Sequence, residues 1–117
     1  MKVINLGEQN SVLNQFVSEI RDVNIQKDSL RFRRNLERIG EIFAYEISKT
    51  LNYVPSEVET PLGIANIQLC NQTIVLGTIL RAGLPLHQGL LNYFDCAQNS
   101  FIAAYRKYGK DNKFTIQ

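Results

Sequence analysis

Histidine and cysteine are scarce in this sequence. Its 117 residues include one histidine, His87, and two cysteines, Cys70 and Cys96. A structural zinc site takes about four such ligands, so we expect no metal site within one chain. The cysteines lie far apart and match no metal-binding or redox spacing, which predicts two unpaired thiols in a reducing cytoplasm. A single histidine also gives no basis for a Ser–His–Asp or Cys–His catalytic group.

Long apolar runs and a strong excess of charge are missing as well. The longest apolar candidate, Ile74 to Leu80, is interrupted at Gly77, whereas a membrane span takes about 20 apolar residues. The N-terminus has no apolar stretch long enough for a signal peptide. The net charge of +2 is too small to indicate nucleic-acid binding. We therefore expect a cytoplasmic protein that binds neither membrane nor nucleic acid.

Residues 1–52 are predicted to form a helical arm. Asn10 or Ser11 can cap a first helix, and Asp28 or Ser29 can cap a second, longer one. The first helix has apolar residues at helical spacing: Val12, Leu13, Phe16, Val17 and Ile20. The apolar stripe of the second is Phe32, Leu36, Ile39, Phe43, Ile47 and Leu51.

Residues 53–72 are predicted to form a small β-hairpin. The strands are expected at Glu57–Thr60 and Ile64–Leu69. Pro61 and Gly63 provide a turn signal between them.

Residues 73–117 have the pattern of one βαβ unit with parallel strands. Strands are expected at Thr73–Leu80 and Ser100–Tyr105, with a helix between them that has Pro85 in its first turn. The inner face of that helix is predicted to be Leu86, Leu90, Tyr93 and Phe94. Because parallel sheets rarely contain only two strands, we interpret residues 1–117 as a single, apparently incomplete α/β domain, the first half of a larger one.

An arginine follows each strand of this unit. In open parallel sheets, ligands bind beyond the carboxyl ends of the strands. Arg81, next to Ala82 and Gly83, and Arg106 would both lie at that edge. A guanidinium group gives bidentate hydrogen bonds and a glycine lets the backbone approach, which suits a diphosphate. Taken alone the pattern is weak, because such arginines are more often surface residues or carboxylate partners.

Several motifs, in the same order, resemble the uracil phosphoribosyltransferase family. The stretch from Thr78 to Pro85, followed by Gly89, looks like the first active-site loop of that family. Further similarities cover nearly the whole chain: Arg31-Phe32-Arg33 through Gly40 and Tyr45-Glu46, then Thr60-Pro61-Leu62-Gly63, then Ala104-Tyr105-Arg106. The resemblance implies a partial type I phosphoribosyltransferase fold, with a helical arm, a small hairpin and one βαβ unit of the parallel sheet.

The resemblance also implies an activity and a site. Such enzymes transfer 5-phosphoribosyl from 5-phosphoribosyl 1-diphosphate to uracil and give UMP and diphosphate, in pyrimidine salvage. Arg81, Ala82, Gly83 and Arg106 match the diphosphate-binding positions, and no catalytic residue is assigned. The family commonly has a cis peptide bond, expected after Arg81. Mg²⁺ is expected for the complete enzyme, bound mainly through substrate, with none held by this chain. A homo-oligomer is expected, and GTP is a possible effector.

Two parts of the family site have no counterpart in this sequence. The acidic, then Gly- and Thr-rich loop that holds the 5-phosphate and ribose is missing, and so is the C-terminal Gly-Asp segment that reads uracil. The resemblance therefore implies only the diphosphate half of the site, and we expect no turnover by these 117 residues alone. The alternatives are a catalytically dead nucleotide-sensing module and an oligomerisation module.

Three other features have a structural and a functional interpretation. His87 is expected to be a partly exposed helix residue, although a protonated imidazole there could donate to phosphate. The arginines of the second helix are expected to form a solvated or salt-bridged face, or else a nucleotide site or subunit contact: Arg31, Arg33, Arg34 and Arg38. The lysines at positions 107, 110 and 113 are expected to belong to a soluble tail, or else to a flexible arm over the site, as the family resemblance implies.

Overall fold

A computed structural model describes the backbone of residues 1–108 and 114–116 and the side chains of residues 1–105. The α-helices are α1 (Leu13–Arg21), α2 (Ser29–Ser48) and α3 (Leu84–Tyr93). Short 3₁₀ turns lie at Leu6–Glu8 and Ile25–Lys27. The strands are β1 (Tyr53–Thr60), β2 (Gly63–Cys70), β3 (Val75–Leu80), β4 (Gln98–Ala103), β5 (Arg106–Tyr108) and β6 (Phe114–Ile116).

The predicted helical arm is present, and local hydrogen bonds explain where its helices begin. Ser11 Oγ accepts from the backbone N–H of Leu13 at 3.2 Å, but the N-cap position of α1 is Val12, which has no side-chain cap, and neither Asn10 nor Ser11 occupies it. Asp28 caps α2 by accepting from the N–H of Arg31 at 3.1 Å. Within the described residues, no helix is long and apolar enough to cross a membrane.

A buried polar side chain connects α1 to α2. Asn35 is fully buried, and its Nδ2 donates to Glu19 Oε2 at 2.8 Å. Its Oδ1 accepts from Arg38 Nη1 at 3.1 Å. The Arg38 guanidinium also lies 5.3 Å from the centroid of the Phe16 ring. Because every polar atom of Asn35 that needs a partner finds one here, the interface tolerates an amide where an apolar residue is usual.

Helices α2 and α3 cross at two glycines. A Cβ on Gly40 would contact the carbonyl oxygen of Leu86 and lie 3.1 Å from Gly89 Cα. A Cβ on Gly89 would contact the carbonyl oxygen of Glu37. Asn92 Nδ2 then donates to Glu37 Oε1 and Glu41 Oε1, at 2.9 Å each. Because neither glycine has a side chain, α3 and the loop before it can lie this close to the helical arm.

The hairpin is confirmed and is longer than predicted. Strands β1 and β2 are antiparallel along their whole length, from Tyr53 opposite Cys70 to Thr60 opposite Gly63. Gly63 has φ +132°, a conformation that favours glycine at this tight turn. Since opposite residues share a face, one face is largely apolar: Val54, Val58, Ala65, Ile67 and Leu69.

The predicted βαβ unit is also present. Strands β3 and β4 are parallel, with Val75 opposite Gln98 and Leu80 opposite Ala103. Pro85 lies in the first turn of α3, where its missing N–H costs no helical hydrogen bond. Strand β3 starts at Val75, two residues after the predicted Thr73, and ends at Leu80 as predicted. Strand β4, Gln98–Ala103, begins and ends two residues before its predicted limits.

Three details of the sequence interpretation are wrong. Tyr93 was expected on the inner face of α3, but it is 55% exposed, and the buried positions are His87 and Gly89. Ile47, at the end of the α2 stripe, is exposed. Two short antiparallel strands, β5 and β6, follow the parallel unit where only a lysine-rich segment was expected. Of its lysines, those at positions 110 and 113 lie outside the described residues.

Candidate functional site

The parallel register brings the two predicted loops to one edge of the sheet. Leu80 and Ala103 are paired neighbours at the carboxyl ends of β3 and β4. Arg81 follows Leu80 directly, and Arg106 comes three positions after Ala103. This is the edge at which ligands bind in open parallel sheets. The side chains of Arg81 and Ala82 are exposed there, so the loop is accessible.

Backbone hydrogen bonds hold the loop from Arg81 to Gly83 in a compact turn. The Gly83 N–H donates to the carbonyl of Ile79 at 3.2 Å, and the Leu84 N–H donates to that of Arg81 at 3.1 Å. The Gly83 carbonyl accepts from the N–H of His87 at 2.9 Å. The loop is thereby fixed both to the end of β3 and to the first turn of α3.

Gly83 has a steric role in this turn. A Cβ there would contact Thr78 Oγ1 and would lie 3.0 Å from the carbonyl oxygen of Ile79. Its φ is −77°, which any residue adopts, so close approach rather than backbone conformation accounts for the glycine. Thr78 was not predicted to lie beneath the loop, because no spacing rule indicates that a strand side chain faces the loop that follows the strand.

The structure contains a cis peptide bond at the site, one residue earlier than expected. The bond joins Leu80 to Arg81, whereas the resemblance placed it after Arg81.

Arg106 begins β5, although it was expected in a loop directly after a strand. Strand β4 ends at Ala103, before the predicted Tyr105. The structure describes the backbone of Arg106 and not its side chain. Its role toward a diphosphate therefore stays a prediction.

His87 is buried, which corrects the expectation of a partly exposed helix residue. It is 7% exposed, and its Nε2 lies 2.7 Å from Asn99 Oδ1 on β4. Its ring centroid is 5.3 Å from that of Phe101. Because an amide oxygen only accepts, Nε2 carries the proton and donates. Nothing in the local sequence indicates this pairing, because it depends on β4 lying beside α3.

Most of the arginines of α2 have partners within the chain. Arg31 Nη1 lies 3.5 Å from Glu19 Oε1, and Arg34 Nη1 lies 3.2 Å from Glu37 Oε2. Arg38 donates to buried Asn35. These contacts favour the salt-bridged interpretation of the cluster over a nucleotide site.

The described residues offer little for direct metal binding. Within them, no three His, Cys, Asp or Glu side chains are grouped so that they could hold a metal ion.

Comparison of the fold with solved structures defines the class. The structure of the AQ2163 protein from Aquifex aeolicus matches with a TM-score of 0.70 and 25% identity, over 93% of this chain and 51% of that one. The mixed α/β architecture, with an antiparallel hairpin and a parallel unit, is a partial phosphoribosyltransferase fold.

Comparison of sequences defines the family. The family profile described as uracil phosphoribosyltransferase matches residues 7–115. Proteins named uracil phosphoribosyltransferase from two strains of Porphyromonas gingivalis are 56% identical over 99% of this chain and 54% of their own length. A protein of the same name from Thermococcus gammatolerans is 36% identical over 94% of the chain and 48% of its own length.

The chain belongs to the uracil phosphoribosyltransferase family. It spans about half the length of the curated relatives it matches.

Proposed function

We propose that this chain supplies the diphosphate-binding half of a site that transfers 5-phosphoribosyl from 5-phosphoribosyl 1-diphosphate to uracil, giving UMP and diphosphate in pyrimidine salvage. The observation that carries the proposal is the pairing of Leu80 with Ala103, which brings the Arg81 loop and Arg106 to one edge. Family membership supplies the reaction.

The roles of the residues follow from the leaving group. Diphosphate gains negative charge as its bond to the ribosyl carbon breaks, so fixed cations and backbone N–H groups beside it stabilise the transition state. Arg81 would donate bidentate hydrogen bonds to it, and Ala82 and Gly83 would contribute backbone groups. Arg106 would act from the neighbouring strand. When bound with the diphosphate, Mg²⁺ supplies further charge neutralisation.

Binding of inorganic diphosphate to the chain tests this assignment. We expect calorimetry to detect binding by the native chain, and Arg81→Ala to weaken it at least about tenfold, which corresponds to about 1.4 kcal/mol. Arg21→Ala is the matched control, because Arg21 is an exposed arginine in the last turn of α1, away from the loop. Equal weakening by both variants would show nonspecific charge attraction and contradict the proposal.

We further propose that the chain alone does not turn over. The sequence has no phosphoribosyl-binding loop and no base-reading segment of the family type, so nothing in it would hold ribose or select uracil. UMP formation from uracil, 5-phosphoribosyl 1-diphosphate and Mg²⁺ should equal the control without protein. A rate clearly above that control would show that the chain carries a complete site.

Assembly is a second candidate function, and the hairpin is the observation that favours it. The apolar face of β1 and β2 is partly exposed, with Val54 at 37%, Val58 at 39%, Leu69 at 44% and Ile67 at 50%. Exposed strands with an apolar face commonly pair with another chain. A homo-oligomer that covers this face would remove its apolar side chains from water. A catalytically dead, oligomerising module would use the same surface.

The same substitution on either face of the hairpin tests the assembly proposal. Ile67 lies on the apolar face and Ile64, paired with Glu59, lies on the opposite one. We expect Ile67→Lys to reduce the oligomer measured by light scattering, and Ile64→Lys to leave it intact. An oligomer equally sensitive to both changes, or a monomeric native chain, would exclude the hairpin face as the contact.

The remaining partners and the location are proposed on family grounds. We propose that the chain is half of a cytoplasmic enzyme that acts on small-molecule substrates, with GTP as a candidate effector. Added GTP should alter the diphosphate affinity of the native chain if this chain holds the effector site, and unchanged affinity would exclude an effector site here.

A further inference from the structure

The two cysteines, remote in sequence, line the same cleft. Cys70 ends β2, and Cys96 lies in the turn between α3 and β4. Both thiols are free and exposed. The cleft has a volume of about 370 Å³ and lies where the hairpin joins the parallel unit.

Ordered backbone surrounds both thiols. Cys70 is paired with Tyr53, and beyond it the Asn71 N–H donates to the carbonyl of Asn52 at 3.2 Å. On the other side, the Ala97 N–H next to Cys96 donates to the carbonyl of Phe94 at 3.0 Å. The two cysteines thus line the cleft from segments held by hydrogen bonds.

The cleft brings two thiols into one lining. Among the described residues that line it, Asp95 is the charged one. Because both thiols belong to the same chain and line the same cleft, the second of two exchange steps would be intramolecular.

We propose that Cys70 and Cys96 form a dithiol site that a small disulfide oxidant, such as glutathione disulfide, converts to an internal disulfide. One cysteine thiolate attacks the oxidant, forms a mixed disulfide and releases one glutathione thiolate. The thiolate of the other cysteine then attacks the protein sulfur of that mixed disulfide and releases the second. The protein loses two electrons and two protons, and glutathione disulfide becomes two thiols.

The internal disulfide has a consequence for the hairpin. One described hydrogen bond at its base runs from Tyr53 Oη to the carbonyl of Ser48 at 2.7 Å. A covalent bond from Cys70 to the α3–β4 turn would fix the hairpin against the parallel unit. In a reducing compartment such a bond is transient, which is typical of redox-sensing pairs.

Intact mass spectrometry of the full chain tests the proposal directly. The chain is incubated with glutathione disulfide, and remaining thiols are then alkylated. The native chain should lose two hydrogens and take up neither glutathione nor alkyl groups. Cys70→Ser and Cys96→Ser are matched variants with one exposed thiol each, and each should carry one glutathione. A native chain that retains two glutathiones, or that forms only disulfide-linked dimers, would overturn the proposal.

Peptide mapping of the unreduced native chain makes the test independent of how the variants fold. A digest should contain one cross-linked peptide pair that joins Cys70 to Cys96 and disappears on reduction. Its absence after complete loss of free thiol would contradict the internal bond. Neither measurement involves diphosphate, so these experiments test the dithiol site independently of the proposed transferase function.

Discussion

The imidazole Nε2 of His87 lies 2.7 Å from the side-chain oxygen of Asn99 and connects α3 to β4. The backbone N–H of the same histidine donates to the Gly83 carbonyl in the Arg81 loop. One residue therefore joins the helix, the loop after β3 and the second parallel strand. His87 lies next to the predicted diphosphate site, but its ring is buried among protein groups. We therefore expect it to support the Arg81 loop and not to contact the ligand.

Replacing His87 should destabilise the chain. His87→Leu removes the hydrogen bond that joins α3 to exposed Asn99 on β4, and such a bond contributes about 0.5–1.5 kcal/mol. Urea unfolding should show a lower midpoint. Gln88→Leu, at the exposed neighbouring position of α3, is the control and should change stability by less than about 0.5 kcal/mol. Equal stability of the two variants would indicate that the His87–Asn99 contact contributes nothing.

The crossing of α2 and α3 should not tolerate a methyl group. Gly89→Ala brings a Cβ against the backbone of Glu37 and should cost about 1–3 kcal/mol through overpacking. Gly77→Ala is the contrasting control, since no atom lies within 4 Å of a Cβ there, and it should be neutral or slightly stabilising. The changes in the free energy of unfolding caused by the two substitutions should therefore differ in sign or be clearly separated. Similar changes would refute the close approach of the helices.

The loop glycine should affect ligand binding. Gly83→Ala would press its methyl against Thr78 Oγ1 and displace the loop, so we expect diphosphate affinity to fall about tenfold. The double variant Gly83→Ala, Thr78→Ala removes the hydroxyl and should recover part of that loss. Calorimetric titration of the single and double variants decides this, and no recovery would mean that the hydroxyl is not the obstacle.

One carboxylate should make stability depend on pH. Asp22 accepts from the N–H groups of Ile25 and Asn24, which lower the pKa of its carboxyl below the ordinary value. The ionised form is thus favoured in the folded chain. Its contribution is present above the ordinary aspartate pKa of about 3.9 and is lost as pH falls through the depressed value.

The variant Asp22→Asn isolates this contribution. The native chain should be more stable than the variant near neutral pH, and the difference should shrink as pH falls below about 4. Asp95→Asn is the control, because the exposed carboxyl of Asp95 has no such pair of backbone donors among the described contacts. A native-to-variant difference that is independent of pH would contradict the role of the charge.

Local sequence signals determined the elements. Asp28 begins α2 because a carboxylate can accept from the free N–H groups of the first turn, and Pro85 begins α3 because its ring fits there. The order of strand, loop, helix and strand predicts a parallel pair of strands, which the structure has. Parallel strands cannot be joined by a hairpin turn and need a crossover connection, here a helix. Arg81, Ala82 and Gly83 could be placed at its ligand-binding edge for the same reason.

Only the tertiary structure decided which side chains meet. His87 is buried and Tyr93 exposed because α3 faces Asn99 and Phe101 on one side and crosses α2 at Gly89 on another. The sequence determined the hydrophobic periods and caps, which depend on neighbours within one turn. Contacts between elements decide that a histidine is buried, that a hydroxyl lies beneath a loop and that two distant thiols line one cleft. Local periodicity carries no information about contacts between elements.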